Sequence, residues 1–275
     1  MTVEYGSLSY IVSLLIPLLL FAVLARVLRR ISEKTAGRVI FSIMILNLAQ
    51  HILKTKLYNH LGLSGFTAYS TAYNMCALLI ILSPIAYLVK FAPLRDFVYL
   101  LGSFAGLVAI AIPYWSIGKP PTDPDFLRSL FCHTLLFLSS SLSLALGLHR
   151  PSKRSWLFIG AYVLFALGVI VLNNTLCLKL DLYPGISADK LTLRDALYAT
   201  NSVWMFGPPE SFSWVVSILK TILPDRLVVL KSGRCIPVLW YALPMYLLAT
   251  AISFPICRLV SWYQQKFTKN AFLKK

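Results

Sequence analysis

Charged residues are scarce in this chain of 275 residues, and acidic residues are the scarcest of them. Only 13% of the residues are charged, and 10 Asp and Glu face 26 Lys and Arg. A soluble domain usually has about 25% charged residues, so the composition excludes an ordinary soluble protein. No Asp or Glu lies within an apolar segment, since Asp96 stands at the edge of one. This argues against proton-coupled transport, which relies on intramembrane carboxylates.

Several motifs of other site classes are also missing. The five cysteines are scattered and include no CxxC pair, so neither a zinc site nor a thioredoxin-like motif is indicated. No two His or carboxylate residues share a helix face inside an apolar segment, and we expect no metal and no other cofactor. The absence of an internal repeat disfavours a pseudo-symmetric transporter.

What the chain does contain is apolar sequence in long blocks. Hydrophobic residues make up 58% of the chain, in blocks of roughly 20, the length needed to cross a bilayer as a helix. The pattern predicts an all-α membrane protein, a bundle of seven transmembrane helices forming one domain over residues 1–275. The predicted spans are Ser7–Leu28, Val39–Tyr58, Ala68–Val89, Phe97–Ile117, Ser129–Leu148, Trp156–Leu178 and Ile236–Trp262.

The basic residues predict the orientation of these spans. With the N-terminus outside, the loops after spans one, three and five and the C-terminal tail hold 15 of the 26 Lys and Arg, and the short outer connections hold four. Short cytoplasmic loops carry such an excess, so we expect a cytoplasmic C-terminus. The net charge of +16 is clustered at the ends of apolar blocks. Lipid headgroups are therefore the expected partners, and nucleic acid is not.

A long outer segment, residues 179–235, connects spans six and seven. Within it, Thr192–Ala199 is a candidate short helix, and Ser213–Leu223 is too short to span and has the length of an interfacial or re-entrant helix. Cys177 and Cys235 bracket the segment and could form a disulfide.

Polar residues within four of the spans fall at one depth, toward the outer leaflet. They predict an outward-opening polar pocket, with residues 201–223 as its lid. Such residues often mark function, although Asn, Gln and Thr also serve as interhelical hydrogen-bond partners. The residues are Asn47, Gln50, His51 and Lys54 on span two, Tyr73, Asn74 and Cys76 on span three, Cys132, His133 and Thr134 on span five, and Asn173, Asn174 and Thr175 on span six.

A cysteine and a histidine in such a pocket indicate a definite chemistry. A thiolate at Cys76 could act as nucleophile, with His133 taking its proton and a thioester as intermediate. Asn174 or Tyr73 could orient the imidazole or stabilise an oxyanion. The sequence alone does not establish that Cys76 and His133 touch.

The order of these residues resembles a known family, the YwaF-like membrane proteins related to animal transmembrane protein 164. The run Tyr73-Asn74-Met75-Cys76, leading into Ser83-Pro84-Ile85-Ala86, is similar to that family's span three. Tyr99, Gly102 and Gly106 are similar to its aromatic and glycine-bearing span four. His133 in FCHTLLF, Asn174 and the run Asn201–Glu210 match in order. The chain departs from the family at Asn74, where the family usually has His, and in about 20 extra residues before Asn201.

The resemblance implies a cysteine-dependent phospholipid acyltransferase, because the animal relative acts in this way on ether phospholipids. It would make Cys76 the acyl acceptor and His133 the base. Asn74, Asn174 and Asn201 would then shape the pocket.

Two other functions remain open. A carrier for a small polar or lipid ligand needs a polar track across the whole membrane, and flux that survives loss of Cys76 would favour it. A non-catalytic receptor or assembly partner would use the outer segment, and a pull-down dependent on Asp181–Thr200 would favour that function. The sequence fits the plasma membrane or the endoplasmic reticulum membrane equally, and it does not set the oligomeric state.

Overall fold

The computed structural model of the chain describes residues 2–60, 67–113, 116–152, 154–183, 213–229, 235–237, 240 and 242–267. Within these residues, seven helices are long and apolar enough to cross a membrane. The prediction of a helical, multi-pass membrane protein is confirmed. Which end of the bundle faces the cytoplasm stays a prediction.

The helices follow one another with short connections in the first part of the chain. A 3₁₀ turn, Thr67–Ser70, precedes α3, and together they make up the third candidate span. The helices are α1 Leu8–Leu28, α2 Glu33–His60, α3 Met75–Val89, α4 Ala92–Ala111, α5 Pro124–Ala145, α6 Ser155–Lys179, α7 Ser213–Ile222, α8 Asp225–Val228 and α9 Leu243–Phe267.

Several helices begin before their apolar blocks do, and local chemistry explains the shift. Helix α4 begins at Ala92, with a proline in its first turn, and ends at Ala111, whereas the sequence placed the span at 97–117. Proline favours the first helical turn, and the residue before a proline avoids helix, which fits an end ahead of Pro113. Helix α5 begins at Pro124 because Asp123 caps it, accepting hydrogen bonds from the backbone N of Asp125 and Phe126.

The described chain divides into two compact units. The first contains Met1–Leu53, Leu79–Ser155 and Pro255–Lys275, and the second contains Lys54–Leu78 and Trp156–Phe254. Helices α2, α3 and α9 each contribute one end to each unit. Each unit is described by itself below, and the single transmembrane domain predicted from the sequence stays a prediction.

In the first unit, α4 packs on α5 through two glycines. A side-chain carbon at Gly106 would lie 2.8 Å from the backbone N of Phe137, and one at Gly102 would meet the Ser140 hydroxyl. Small residues let membrane helices approach at the level of their backbones. Helix α1 joins the pair, since the Tyr10 hydroxyl donates to the carbonyl of Ala111 at 2.8 Å. Of the seven candidate spans, α5 is the most buried, with 67% of its apolar stretch inside the protein.

A buried polar network lies at the other end of α4 and α5. Asp96 Oδ1 is 2.5 Å from His149 Nε2, and its second oxygen accepts hydrogen bonds from the Ser155 hydroxyl and the Ser152 backbone N. Gln264 of α9 donates to the carbonyls of Leu144 and His149. A buried carboxylate needs such partners, so the network joins the start of α4 to the α5–α6 connection.

In the second unit, α6 packs on the first half of α9. A side-chain carbon at Gly160 would lie 2.8 Å from the carbonyl O of Tyr246, and Trp156 meets Phe254 edge to face at 5.1 Å between ring centroids. The far end of α6 packs on the chain before α3, where Ala68, Cys177 and their neighbours form a small apolar cluster.

Helix α7 lies where the sequence predicts a short interfacial or re-entrant helix, and its position relative to the membrane stays a prediction. It has 10 residues, none of them buried, and Trp214, Ile218 and Ile222 are each at least 49% exposed. Their spacing of four places them on one face. The candidate helix Thr192–Ala199 lies outside the described residues.

Candidate functional site

Helix α5 presents His133 one turn after a serine, within the first unit. The Ser129 hydroxyl lies 3.3 Å from His133 Nδ1. The serine is buried and the histidine is half-buried. A four-residue spacing places the two side chains on one helix face, so the serine can hold the imidazole in one orientation.

Two of the predicted polar residues on α2 bind the same turn of α5. Asn47 Nδ2 donates to the carbonyl of Cys132 at 3.1 Å, and Gln50 Nε2 donates to Asn47 Oδ1 at 2.8 Å. Asn47 and His51 are each 2% exposed. Asn47 therefore serves as an interhelical hydrogen-bond partner that fixes the backbone beside His133, with Gln50 holding its amide.

The second unit contains a polar cluster around Tyr73, immediately before α3. Lys54, near the end of α2, is 3% exposed. Its Nζ lies 3.4 Å from the Tyr73 hydroxyl and 4.5 Å from the centre of that ring, with the Tyr69 ring centre at 5.2 Å. Aromatic faces attract a buried cation, so these rings help to hold the ammonium group inside the unit.

The end of α6 binds the same segment from another side. Asn174 Nδ2 donates to the Tyr73 carbonyl at 3.1 Å, and the Tyr183 hydroxyl donates to Asn174 Oδ1 at 3.3 Å. Asn173 Nδ2 donates to the Thr71 hydroxyl at 2.9 Å. Tyr73 is therefore fixed at its backbone by α6, and its hydroxyl contacts a lysine of α2.

Cys76 occupies the first turn of α3, in the same unit. Asn74 Oδ1 accepts a hydrogen bond from the backbone N of Ala77 at 2.9 Å, which is the geometry of an N-cap residue. Cys76 is partly exposed, whereas the other four cysteines of the chain are buried. The thiol thus lies at the positive end of a capped helix, where the helix dipole favours negative charge.

The structure therefore gathers the predicted residues into two groups. Asn47, Gln50, His51 and His133 belong to the first unit, and Tyr73, Asn74, Cys76 and Asn174 belong to the second. Contact between Cys76 and His133 stays a prediction. Asn201, with the rest of its aromatic run, lies outside the described residues.

Sequence reasoning counted Lys54 among the polar residues of the predicted pocket but assigned it no role in binding or catalysis. The signal was available, because a lysine inside an apolar span usually faces the protein interior and marks function. Thr71 and Tyr183 were missed for other reasons. Tyr183 lies in the connection after α6, where polar side chains are ordinary. Thr71 lies inside the predicted third span, but threonine is common in membrane helices as a hydrogen-bond partner.

The cysteines at the two ends of the outer segment are thiols. Cys177 and Cys235 are both buried and unbridged, so the disulfide considered from the sequence is not present. Burial raises the pKa of the Cys235 thiol above its usual value. Across the described part of the chain, no three His, Cys, Asp or Glu side chains come together in a group that could hold a metal ion.

Comparison with known proteins identifies the family. No curated protein and no solved structure matches the chain. The family model described as the TMEM164 family matches residues 5–223, which include both polar groups and the helices that carry them. The chain belongs to the TMEM164 family.

Proposed function

We propose that this protein is a membrane-embedded enzyme that transfers or hydrolyses the acyl chain of a phospholipid through a thioester on Cys76. The observation that carries the proposal is the setting of that thiol. It is the one cysteine of five that is not buried, and it lies in the capped first turn of α3. Reactive cysteines occupy partly exposed sites at helix N-termini, whereas inert ones are buried.

The reaction has two steps in this proposal. In the first, the imidazole of His133 takes the proton of Cys76, and the thiolate attacks the ester carbonyl of a lipid. The tetrahedral intermediate releases an alcohol, which takes the proton from the imidazolium. In the second step, His133 removes the proton of an acceptor alcohol or of water, which attacks the thioester and restores the thiol.

The polar cluster of the second unit supports a lipid substrate. Lys54 gives it a buried positive charge beside Tyr73, and a phospholipid headgroup carries a negatively charged phosphate. Tyr73 is three residues from Cys76, and its carbonyl is held by Asn174. A headgroup bound near Tyr73 would keep the reacting ester close to the start of α3.

The test is intact-protein mass spectrometry after incubation of the purified protein with a natural lipid extract. The wild type should gain the mass of a fatty acyl group, and hydroxylamine should remove it because thioesters are cleaved by that reagent. Cys76→Ser should gain no group that hydroxylamine removes. Cys257→Ser is the matched control, since Cys257 is buried in α9, and it should acylate like the wild type.

His133 is tested separately with His133→Gln, which should slow acylation by about 10²–10⁴-fold, the usual contribution of a general base. A hydroxylamine-sensitive acyl group on Cys76→Ser would contradict the thioester mechanism. The absence of acylation in the wild type would also contradict it and would favour a carrier or a receptor. If His133→Gln acylates at the wild-type rate, Cys76 remains the proposed nucleophile, but His133 is not the base.

A further inference from the structure

A small cavity lies within the first unit, against the turn of α5 that carries His133. It is bounded by α1, by the end of α4 and by the chain that follows α4, and Phe126 of α5 closes one side. Its volume is about 10 Å³. That is about the smallest cavity that can hold one water molecule, and no lipid chain or headgroup would fit in it.

The lining of this cavity includes four hydroxyl or imidazole side chains. They come from three parts of the unit, and three of them are buried. Ser13 donates to the carbonyl of Tyr10 at 2.7 Å, and Ser129 is 3.3 Å from His133 Nδ1. The fourth is Ser116.

Ser116 points to an occupant of the cavity. Ser116 is 0% exposed, and its hydroxyl makes no hydrogen bond to the described residues. A buried hydroxyl without a partner is costly. Buried waters satisfy such groups and usually make two to four hydrogen bonds of their own. A cavity with several polar groups around it and room for one water meets both requirements.

We propose that this cavity binds one water molecule, which hydrogen-bonds to Ser116 Oγ and to the Ser129–His133 pair. The water fixes the connection after α4 to α5, and it gives His133 a partner that exchanges protons. The site stands on the first unit alone and holds whether or not His133 acts as the base of an acyl-transfer reaction.

Hydroxyl-radical footprinting of the full-length protein in lipid nanodiscs tests the site, because radiolysis of a bound water oxidises the side chains beside it. Phe126 is only 4% exposed and should nevertheless be oxidised in the wild type. Phe97 and Phe137, with 5% and 6% exposure, do not line the cavity and serve as matched controls that should stay unmodified.

Two variants test whether oxidation of Phe126 comes from the bound water or from transient opening of the helix. Ser116→Val fills the cavity and removes the hydroxyl, and it should lower Phe126 oxidation at least about fivefold while leaving the two control phenylalanines unchanged. Ser116→Ala removes the hydroxyl with the least steric change and should give a smaller fall. Hydrogen–deuterium exchange at the imidazole C2 of His133 should slow in Ser116→Val, while exchange at His149 stays the same.

The proposal is overturned if Phe126 is unmodified in the wild type, a result that needs no variant. It is also overturned if Phe126 is oxidised equally in the wild type and in Ser116→Val, because the oxidising water would then lie elsewhere. If Ser116→Val fails to fold, Ser116→Ala gives the same comparison.

Discussion

Replacing Gly106 with Ala should force α4 and α5 apart. The same substitution at Gly102 and at Gly168 should have smaller effects and serves for comparison. The added carbon would lie 2.8 Å from the backbone N of Phe137 and 3.0 Å from the carbonyl O of His133. Both are main-chain atoms of a helix, so the clash is relieved only by moving α5. At Gly102 the nearest atom is the Ser140 hydroxyl, with its Cβ at 3.1 Å, and a side-chain hydroxyl can rotate away.

The expected free energies of unfolding follow from these contacts. Added carbons in a packed core cost about 1–3 kcal/mol, and alanine in place of a helical glycine returns about 0.5–1 kcal/mol. Gly106→Ala should therefore lose about 0–2.5 kcal/mol net, toward the upper end because the clashing atoms belong to the main chain. Gly102→Ala should lose less than Gly106→Ala. Gly168 of α6 has no atom within 4 Å of the added carbon, so Gly168→Ala should be neutral or slightly stabilising.

Equilibrium unfolding of the purified variants by SDS in mixed micelles measures this series. The double variant Gly102→Ala, Ser140→Ala should recover most of the loss of Gly102→Ala, since it removes the clashing hydroxyl. The order of stability is the decisive result. If Gly106→Ala is as stable as Gly168→Ala, then α4 and α5 do not approach through this glycine, and the packing around His133 derived from it is wrong.

Three further predictions concern other parts of the molecule. Asp96→Asn should destabilise the protein by about 1–3 kcal/mol, because one amide oxygen cannot replace both carboxylate oxygens as acceptors for His149 and its neighbours. Thermal unfolding measures this loss, and Gln264→Leu, measured in parallel, should lose a similar amount. In bilayers with brominated lipid chains, the tryptophan fluorescence of the wild type should be quenched more than that of Trp214→Phe, because Trp214 of α7 would lie among the lipids. Equal quenching of the wild type and Trp214→Phe would place α7 away from the membrane. Since burial raises the pKa of the Cys235 thiol above its usual value, its thiolate fraction at neutral pH is low. Its alkylation rate, followed by peptide mass spectrometry, should keep rising at alkaline pH where the rate of a thiol with an ordinary pKa has levelled off.

The membrane helices could be predicted from the sequence because the bilayer imposes a length and a polarity on every span. Their ends were less predictable. Arg95 and Asp96 look like loop residues on a hydropathy criterion, yet both lie in the first turns of α4. Arg95 donates to the carbonyls of Ala86 and Tyr87, at the end of α3. A charge that satisfies helix-terminal carbonyls or joins a buried network extends a helix past its apolar block.

The polar residues could be predicted individually, and the single pocket to which they were assigned stays a prediction. Depth along a span says how far a side chain lies from the surface, and it says nothing about which helix lies beside it. Asn47 and Asn174 were assigned to one pocket on equal depth. In the structure Asn47 binds the backbone of α5, and Asn174 binds the backbone before α3. Each amide thus holds a segment that carries a predicted catalytic residue, which is a positioning role that neither depth nor residue type specifies.

The geometry around Asn74 gives a physical reason for asparagine at this position, where the chain departs from the family pattern. The family resemblance leads one to expect a histidine there, and its absence leaves one fewer imidazole available to Cys76. Asn74 instead accepts the hydrogen bond of the Ala77 backbone N, and asparagine is among the best residues for that N-cap position. The substitution therefore stabilises the start of the helix that carries the thiol. If Cys76 forms a thioester, the proton must leave by a route that does not use residue 74, and the proposed base, His133 of α5, provides such a route.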